Sequence, residues 1–499
     1  MSQPRALKVT NSLTRQKELF EPLHAPYVGM YVCGPTVSGE THLGHARPYV
    51  TFDVVFRLLL HLGYQVRYVR NITDAGHFEE EGRAAEDKVQ VKARLEQLEP
   101  MELVTKYTNI YHDMMDRLNC LRPSIEPAAT GHIIEQISMI EEILEKGFAY
   151  VSNGSVYFDV SKYASGHDYG KLSGRVLEEM IAGSRDLENQ EEKRNRADFA
   201  LWKKAPPEHL MRWKSPWGDG FPGWHIECSA MATKYLGSRF DIHGGGMDLL
   251  FPHHESEIAQ SDIANGEPPV KYWMHCNMIT VNGKKMGKSY GNTITLRELF
   301  SGNHPLLEQA YSPMTIRFFI LQTHYRSTLD FGNESLQAAE KGLQRLLKAN
   351  EVLKGMQYPE GKTSAVNEEE ELVIASIKRA FDNLYDDINT AMCMAELFNL
   401  VPKIFSWENG QLPLASISRQ TFQALQQGFT EIVEQLFGLK PEVTRDDHTD
   451  KLVQLLIEMR KKAKSAKDFA TADKIRQDLL TAGIKLKDGK DGSTGWERE

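Results

Sequence analysis

Three patterns in the sequence predict an α/β fold: a parallel sheet with an insertion, followed by an all-α helical bundle and a small C-terminal domain. Two β-rich segments, 27–33 and 65–72, each end in a polar loop and are separated by an apolar-periodic helix over 42–62. A third strand at 240–242 leads into a glycine-rich loop, and from about Phe331 the apolar residues take helical spacing. Ligands bind at the carboxyl ends of parallel strands, so these loops are the candidate sites.

The remaining elements and the changes in composition give the domain boundaries. A helix near 132–146, a short strand over 155–160 and a charged run over 185–196 indicate an insertion. Another helix is expected near Pro252, because proline is well tolerated in the first helical turn. The predicted boundaries are 1–115 and 221–330 for the two halves of the sheet domain, 116–220 for the insertion, 331–437 for the helical bundle, 438–450 for a linker and 451–499 for the C-terminal domain.

The composition is that of a folded protein, and no membrane span is expected. Hydrophobic residues make up 41% of the 499 residues, and the longest apolar stretch, 54–60, is interrupted by an arginine. Five cysteines do not suggest a disulfide framework, which favours a reducing cytoplasm. The net charge of −9 argues against a protein that coats nucleic acid. The segment 451–499 is nevertheless basic, which indicates either a nucleic-acid contact or a solvated helix face.

The first candidate site is the segment 41–46 (THLGHA), at the start of the first predicted helix. Unpaired N–H groups at a helix start attract anions, and Gly44 permits the close approach of a nucleotide. The imidazoles of His42 and His45 can donate hydrogen bonds to phosphate oxygens. Taken alone, two histidines at this spacing are more often surface or packing residues.

The second candidate site is the glycine- and lysine-rich segment 281–289 (VNGKKMGKS). It is not a Walker A loop, because Asn282 occupies the position of the first glycine of that motif. A loop that brings Lys285 and Lys288 onto a polyphosphate would neutralise the charge that develops as pyrophosphate leaves. A solvated turn is the other interpretation of this segment.

Together, the two segments resemble the HIGH and KMSKS signatures of the class I aminoacyl-tRNA synthetases. In that family the signatures face each other across an ATP site on a Rossmann-like sheet. The resemblance implies that His42, Gly44, His45 and Lys288 bind ATP, and that Lys285 acts with Lys288 and the two histidines in catalysis. Mg²⁺ is expected with ATP. Gly287 stands where the signature usually has serine, and both lysines remain in register.

A third candidate site contains His253 and Glu257, which are four residues apart and so share one face of a helix. Cys33 and Cys228 are available as thiolate partners for a metal ion. Their spacing is not that of a Cys-x-x-Cys zinc site, and most free cysteines are simply buried and inert. From spacing alone, both interpretations stand.

The segments 31–36 (YVCGPT), 223–228 (GWHIEC), 242–246 (IHGGG) and 251–255 (FPHHE) resemble the markers of the cysteinyl-tRNA synthetase family. Besides Gly287, the family pattern is interrupted after residues 71–74, where 75–78 (AGHF) begin an acidic insertion. The resemblance implies the ATP-dependent attachment of cysteine to tRNA(Cys) through cysteinyl-adenylate, by a monomer. It also implies that 331–437 and the C-terminal domain bind the tRNA.

The resemblance further implies roles for individual residues. One zinc ion is expected to be held by Cys33, Cys228, His253 and Glu257, with an open position for the substrate thiolate. Zinc favours soft sulfur over a hydroxyl, so no separate editing domain is expected. Trp224 is expected at the floor of the amino-acid pocket and His243 near the reacting carboxylate or phosphate. The expected contacts of the cysteine are Thr36, Thr73 and Asp248.

Two other functions compete with this one. A cysteine ligase of mycothiol synthesis resembles the same core and forms the same adenylate, but it transfers cysteine to an amino sugar and lacks the tRNA-binding tail. A non-catalytic RNA-binding relative of the synthetases is the second alternative. The presence of both signature lysines and both histidines argues against it. Cys120, Cys276 and Cys393 are expected to be structural.

Overall fold

The computed structural model describes residues 6–75, 88–176, 192–287, 290–359, 368–442, 447–466, 468–488 and 494–498. The chain divides into two compact units, Met1–Lys440 and Pro441–Glu499, each with an apolar core. None of the described helices combines the length and the hydropathy that crossing a membrane requires.

Strands β1 to β15 are numbered in chain order over the described residues. They span Lys8–Asn11, Gln16–Leu19, Tyr27–Val32, Gln65–Arg70, Ala149–Ser152, Ser155–Phe158, Phe199–Lys204, Gly220–Pro222, Phe240–Gly246, Val270–Cys276, Ile279–Val281, Lys284–Lys285, Leu329–Phe331, Ile484–Asp488 and Thr494–Arg498.

Helices α1 to α15 are numbered in the same way. They span Leu43–His61, Lys88–Glu96, Pro100–Arg117, Ile133–Glu145, Val160–Ala164, Trp224–Leu236, Glu255–Asn265, Leu296–Ser301, Pro313–Leu321, Asn333–Gly355, Glu368–Tyr385, Thr390–Glu408, Arg419–Thr430, Asp447–Ser465 and Phe469–Thr481.

The central sheet has four parallel strands in the order β10-β9-β3-β4. Its strands include the three that the sequence predicts, and α1 packs its apolar residues into the same core. Both faces of the inner strands are covered, which explains why β3 is almost continuously buried. The predicted α/β class with a parallel sheet is confirmed.

A second, antiparallel sheet with the order β5-β6-β7-β8 lies between the two halves of the central sheet in the sequence. It packs with α4 around an apolar cluster that includes Val156, Phe158 and Trp202. The predicted helix near 132–146 and strand near 155–160 are present as α4 and β6. Most of the charged run 185–196 lies outside the described residues.

The structure corrects one prediction around the glycine-rich segment and bears out another. Residues 243–246 continue β9 instead of forming a loop, because they pair with β10 as far as Gly246. The helix expected near Pro252 is present. Phe251 has an extended backbone, a helical turn follows it, and the regular helix α7 continues over Glu255–Asn265.

The residues after β13 form the predicted helical bundle, α10 to α13. Leu336, Leu343, Leu346 and Val373 are buried, as their helical spacing predicts. The second unit pairs α14 with α15 and the hairpin β14–β15 around a small core of its own. Of the predicted linker, residues 443–446 lie outside the described residues.

A buried charge network joins α1 to the end of the bundle. Asp53 on α1 is 2% exposed and accepts hydrogen bonds from the Leu121 amide at 2.7 Å and from Arg57 Nε at 2.7 Å. Arg317 on α9 is fully buried and donates to the same carboxylate. Its Nε also donates to the Phe437 carbonyl at 2.6 Å. The network fixes α1, α9 and the bundle relative to one another.

Replacing Arg317 with methionine should lower the free energy of unfolding by about 3 kcal/mol, because breaking a buried ion pair leaves an unpaired charge. Arg379→Met is the matched control. Its ion pair with Glu396 is half exposed on the arginine side, and its loss should cost less than about 1 kcal/mol. Urea unfolding of both variants measures the difference. Equal shifts of the midpoint would contradict a structural role for the network.

Candidate active site and metal centre

A pocket of about 360 Å³ opens at the carboxyl ends of β3, β4 and β9. It therefore lies where the sequence analysis expects ligand sites. The predicted site residues that line it are Cys33, Thr36, His42, Gly44, His45, Thr73, Trp224, Cys228, Asp248, His253 and Lys285. Glu257 and His243 are buried below it, and Lys288 lies outside the described residues.

The first turn of α1 forms one wall of this pocket. The imidazoles of His42 and His45 are stacked, with ring centroids 3.6 Å apart, and the His42 amide donates to His45 Nδ1 at 3.3 Å. A Cβ at Gly44 would lie 2.7 Å from Met286 Cε. The first turn of α1 and the segment 281–287, here called the lysine loop, therefore approach each other closely at Gly44.

The lysine loop forms the opposite wall. β11 and β12 pair as a short hairpin that carries Lys285, whose side chain is exposed. The side chain of Asn292 closes the loop, since it accepts from the Gly287 amide at 2.9 Å and donates to the Lys285 carbonyl at 3.0 Å. Asn292 was not predicted from the sequence, because its contacts with the loop form only in the folded chain.

The four predicted metal ligands converge below the pocket. One donor atom from each of Cys33, Cys228, His253 and Glu257 lies within 4.8 Å of all the others, and all four residues are buried. The two sulfur atoms are 3.8 Å apart, and His253 Nε2 is 3.1 Å from Glu257 Oε1. The loop after β3, helix α6 and helix α7 with its preceding turn supply these donors.

The electrostatics of this cluster favour a charged carboxylate. Burial would raise the pKa of Glu257, but the imidazoles of His243 and His253 lower it to about 2. Burial would likewise lower the pKa of His253, yet Glu257 and Cys228 raise it to about 10. Burial, together with the neighbouring Cys228, raises the pKa of the Cys33 thiol.

The donor set fits a zinc ion. Two thiols, an imidazole and a carboxylate are ligand types that zinc accepts in tetrahedral sites, and zinc binding requires the thiols to be deprotonated. A second set, Cys33, His243, His254 and Glu257, meets the same distance criterion. In that set, His254 Nδ1 is already 2.8 Å from His275 Nε2. His253 of the first set has an equivalent contact, since its Nδ1 is 2.9 Å from His225 Nδ1, and such a second contact is typical of histidines that bind a metal.

Three residues contact the predicted ligands: His225, which was not predicted, and Trp224 and His243, which were predicted in other roles. His225 Nδ1 is 2.9 Å from His253 Nδ1, and the Trp224 ring is centred 4.5 Å from the His253 ring. His243 Nε2 is 2.9 Å from Glu257 Oε2, so His243 contacts a candidate ligand below the pocket. The histidines in the segments 223–228 and 251–255 indicate a histidine-rich site, but the sequence does not show which imidazole ring faces the cluster.

Asn71 organises the loop between Cys33 and Thr36. Its Oδ1 accepts from the Gly34 amide at 2.8 Å, and its Nδ2 donates to Thr73 Oγ1 at 3.0 Å. The Thr73 hydroxyl in turn donates to Glu227 Oε2 at 3.0 Å. Thr73 was predicted as a site residue from the sequence, but Asn71, two positions earlier, was not.

The cysteines outside the cluster are buried and free, as expected of structural residues. Cys120 contacts Arg317, Cys276 contacts Thr51, and Cys393 lies within the bundle. The segment 76–87, which contains most of the acidic insertion, lies outside the described residues.

Comparison with known proteins was made on sequence and on structure. The family model described as the class I (C) tRNA synthetase catalytic domain matches residues 19–341. A cysteine–tRNA ligase of Bacteroides thetaiotaomicron is 57% identical over 491 residues, which cover 97% of this chain and 98% of the relative. A cysteine–tRNA ligase of Chlorobaculum tepidum is 45% identical over 508 residues, with 99% of each chain covered.

Solved structures of other synthetases share the fold at low sequence identity. Methionyl-tRNA synthetase of Mycobacterium tuberculosis bound by methionyl-adenylate has a TM-score of 0.59 at 12% identity, covering 82% of this chain and 92% of its own. The ternary complex of LeuRS, tRNA and LeuAMS from Agrobacterium radiobacter K84 has a TM-score of 0.56 at 12% identity, covering 84% of each chain. At this identity the likeness extends to the fold alone.

Gly34→Ala tests the geometry of the pocket loop. A Cβ at Gly34 would lie 1.5 Å from the Asn71 carbonyl oxygen, so the substitution should cost about 3 kcal/mol in the free energy of unfolding, at the upper end of overpacking. Gly39→Ala, in the same loop, meets nothing within 4 Å and should change stability by less than about 0.5 kcal/mol. Urea unfolding compares the two. Similar midpoints would refute the close approach of Gly34 to Asn71.

Proposed function

The chain belongs to the cysteine–tRNA ligase family of class I aminoacyl-tRNA synthetases, and we propose that it attaches cysteine to tRNA(Cys) through cysteinyl-adenylate. The observation that carries the proposal is the pocket itself. Its two walls are the first turn of α1 and the lysine loop, and four metal donors converge at its floor. The walls are suited to bind a triphosphate, and the metal donors at the floor are suited to a site that binds a thiol.

In the first step, the cysteine carboxylate attacks the α-phosphate of ATP, and pyrophosphate leaves. We assign the phosphates to the wall formed by His42, Gly44 and His45, where imidazole N–H groups can donate to them. Lys285, and Lys288 by family pattern, neutralise the charge on the leaving pyrophosphate. Mg²⁺ would accompany ATP and would offset part of the negative charge of its phosphates. The chain itself supplies orientation and charge, and no covalent intermediate with a side chain is needed.

In the second step, a terminal ribose hydroxyl of the tRNA attacks the carbonyl of the adenylate, and AMP leaves. The transfer requires the cysteine to stay fixed while the acceptor end enters. We assign this positioning to Thr36, Thr73 and Asp248, which line the pocket, and to Trp224, which packs against His253. The helical bundle and the C-terminal unit are proposed to bind the tRNA.

We propose that Cys33, Cys228, His253 and Glu257 hold one zinc ion. When bound, zinc lowers the pKa of a coordinated thiol and discriminates cysteine from serine by its preference for sulfur. His243 keeps the Glu257 carboxylate ionised and in place through their 2.9 Å contact. Thiol ligands must stay reduced, so the proposed site of action is the cytoplasm. We propose a monomer as the active form.

The deciding experiment is a charging assay with ATP, labelled cysteine and unfractionated tRNA. Label should precipitate with RNA, and alkaline hydrolysis should release it as cysteine, because the product is an ester. Serine at the same concentration is the control and should not be transferred. If cysteine-dependent pyrophosphate exchange occurs without labelled RNA, an acceptor such as an amino sugar replaces tRNA in the proposal. ATP binding with neither reaction would favour a non-catalytic relative.

The metal assignment is tested by substitution of one thiol. The purified protein should contain about one zinc per chain, and Cys228→Ser should lose most of it, since zinc binds a hydroxyl far more weakly than a thiolate. Cys393→Ser, at a buried cysteine in the bundle, should keep the metal. Elemental analysis and competition with a chelator give the readout. Full zinc content in Cys228→Ser would refute this ligand set.

A further inference from the structure

Arg47 lies on α1, two residues after His45, and its guanidinium is buried. Nη1 donates to the Met278 carbonyl at 2.6 Å, and Nη2 donates to the Ser327 carbonyl. Nη2 is also 3.4 Å from the His324 carbonyl oxygen. The oxygen atoms that receive these bonds all belong to the backbone, so the guanidinium holds chain segments together instead of pairing with a carboxylate.

Two of the segments joined by Arg47 line the pocket. Gly44 and His45 line it from α1, while Met278 and its neighbour Asn277 line it from the segment after β10. The planar fork of an arginine fixes the distance and the angle between such segments, which a lysine cannot do. Arg47 therefore helps to set the distance between α1 and the segment 277–278 beside the nucleotide.

The turn 324–327 is the third segment that Arg47 contacts, and it is tied separately to the pocket wall. The Asn277 amide donates to the Tyr325 carbonyl at 2.8 Å, and Asn277 Nδ2 donates to the Arg326 carbonyl at 2.8 Å. A shift of this turn would consequently move both Asn277 and the carbonyls that hold Arg47.

Asp387, between α11 and α12 of the helical bundle, holds the same turn from the other side. It is fully buried, and its carboxylate accepts from the Tyr325 hydroxyl at 2.7 Å and from Arg326 Nε at 2.8 Å. Thr10 of β1 donates its amide and its hydroxyl to the same carboxylate, both at 2.7 Å. The φ of Asp387 is +68°, a left-handed conformation that aspartate adopts more readily than most residues and that these bonds stabilise.

We infer that Arg47 is a positioning residue for ATP, and that Asp387 of the bundle supports it through the turn 324–327. The inference rests on the proposed function, since it assigns ATP to this pocket. Nucleotide affinity would then depend on Arg47, a residue outside both signature motifs. The bundle would contact the pocket lining through Asp387 and the turn 324–327.

Two single-hydroxyl variants test the inference. Tyr325→Phe and Thr10→Val each remove one hydroxyl that donates to Asp387 at 2.7 Å, but only Tyr325 belongs to the turn. In cysteine-dependent pyrophosphate exchange, Tyr325→Phe should raise the KM for ATP about fivefold, the equivalent of one hydrogen bond, and leave the KM for cysteine within twofold. Thr10→Val should leave both KM values within twofold, although its unfolding midpoint falls to a similar extent.

Arg47→Lys provides a stronger perturbation, with an expected rise of more than tenfold in the KM for ATP, because its ammonium cannot reproduce the fork. Equal KM values for ATP in Tyr325→Phe and Thr10→Val would overturn the inference, as would an unchanged KM in Arg47→Lys. Direct binding of a non-hydrolysable ATP analogue to each variant separates the two proposals. Wild-type protein that binds the analogue without cysteine-dependent exchange would contradict the proposed enzyme, while the order of affinities among the variants would still test Arg47.

Discussion

The parallel pairing of β3 with β9 is the constraint on which the site depends. Tyr31 pairs with His243 and Val32 with Gly244, and the Cys33 amide donates to the Gly244 carbonyl at 3.1 Å. A Cβ at Gly244 would lie 2.3 Å from the ring of Phe52 on α1, so glycine permits α1 to pack directly on the strand. One register thus brings a thiol, the buried imidazoles and the first turn of α1 to the same edge of the sheet.

This edge concentrates groups that burial alone would keep neutral. A buried carboxylate is stable only where neighbours compensate its charge, and the two imidazoles that do so keep the pKa of Glu257 at about 2. Burial and the neighbouring imidazoles keep His254 neutral, with its pKa well below the usual value. The cluster therefore combines a carboxylate anion with imidazole and thiol donors. That combination is suited to a soft divalent cation in a way that an apolar core would not be.

The sequence predicted the residues with chemical signatures better than the residues that hold them. Strands β3 and β4, helix α1 and the convergence of Cys33 with Glu257 all followed from local patterns and the family resemblance. The length of β9 did not, because Gly244 to Gly246 continue the strand by pairing with β10, although glycine is depleted in strands. Asn71 and Arg47 were missed for a related reason. Arg47 donates to backbone carbonyls, and Asn71 binds the Gly34 amide and the Thr73 hydroxyl. No local pattern in the sequence shows that these groups meet.

Helix α1 explains how such supports reach beyond the pocket. It has 19 residues, so at ~1.5 Å per residue it is roughly 28 Å long, and it begins in the pocket wall. At its far end, His61 lies 2.8 Å from Glu431 and 2.9 Å from the Tyr385 hydroxyl, both in the bundle. Asp53, near the middle of α1, forms an ion pair with Arg317. One helix therefore contacts the pocket at its first turn and the bundle at its last turn. The pocket and the bundle are packed against the same element of the fold.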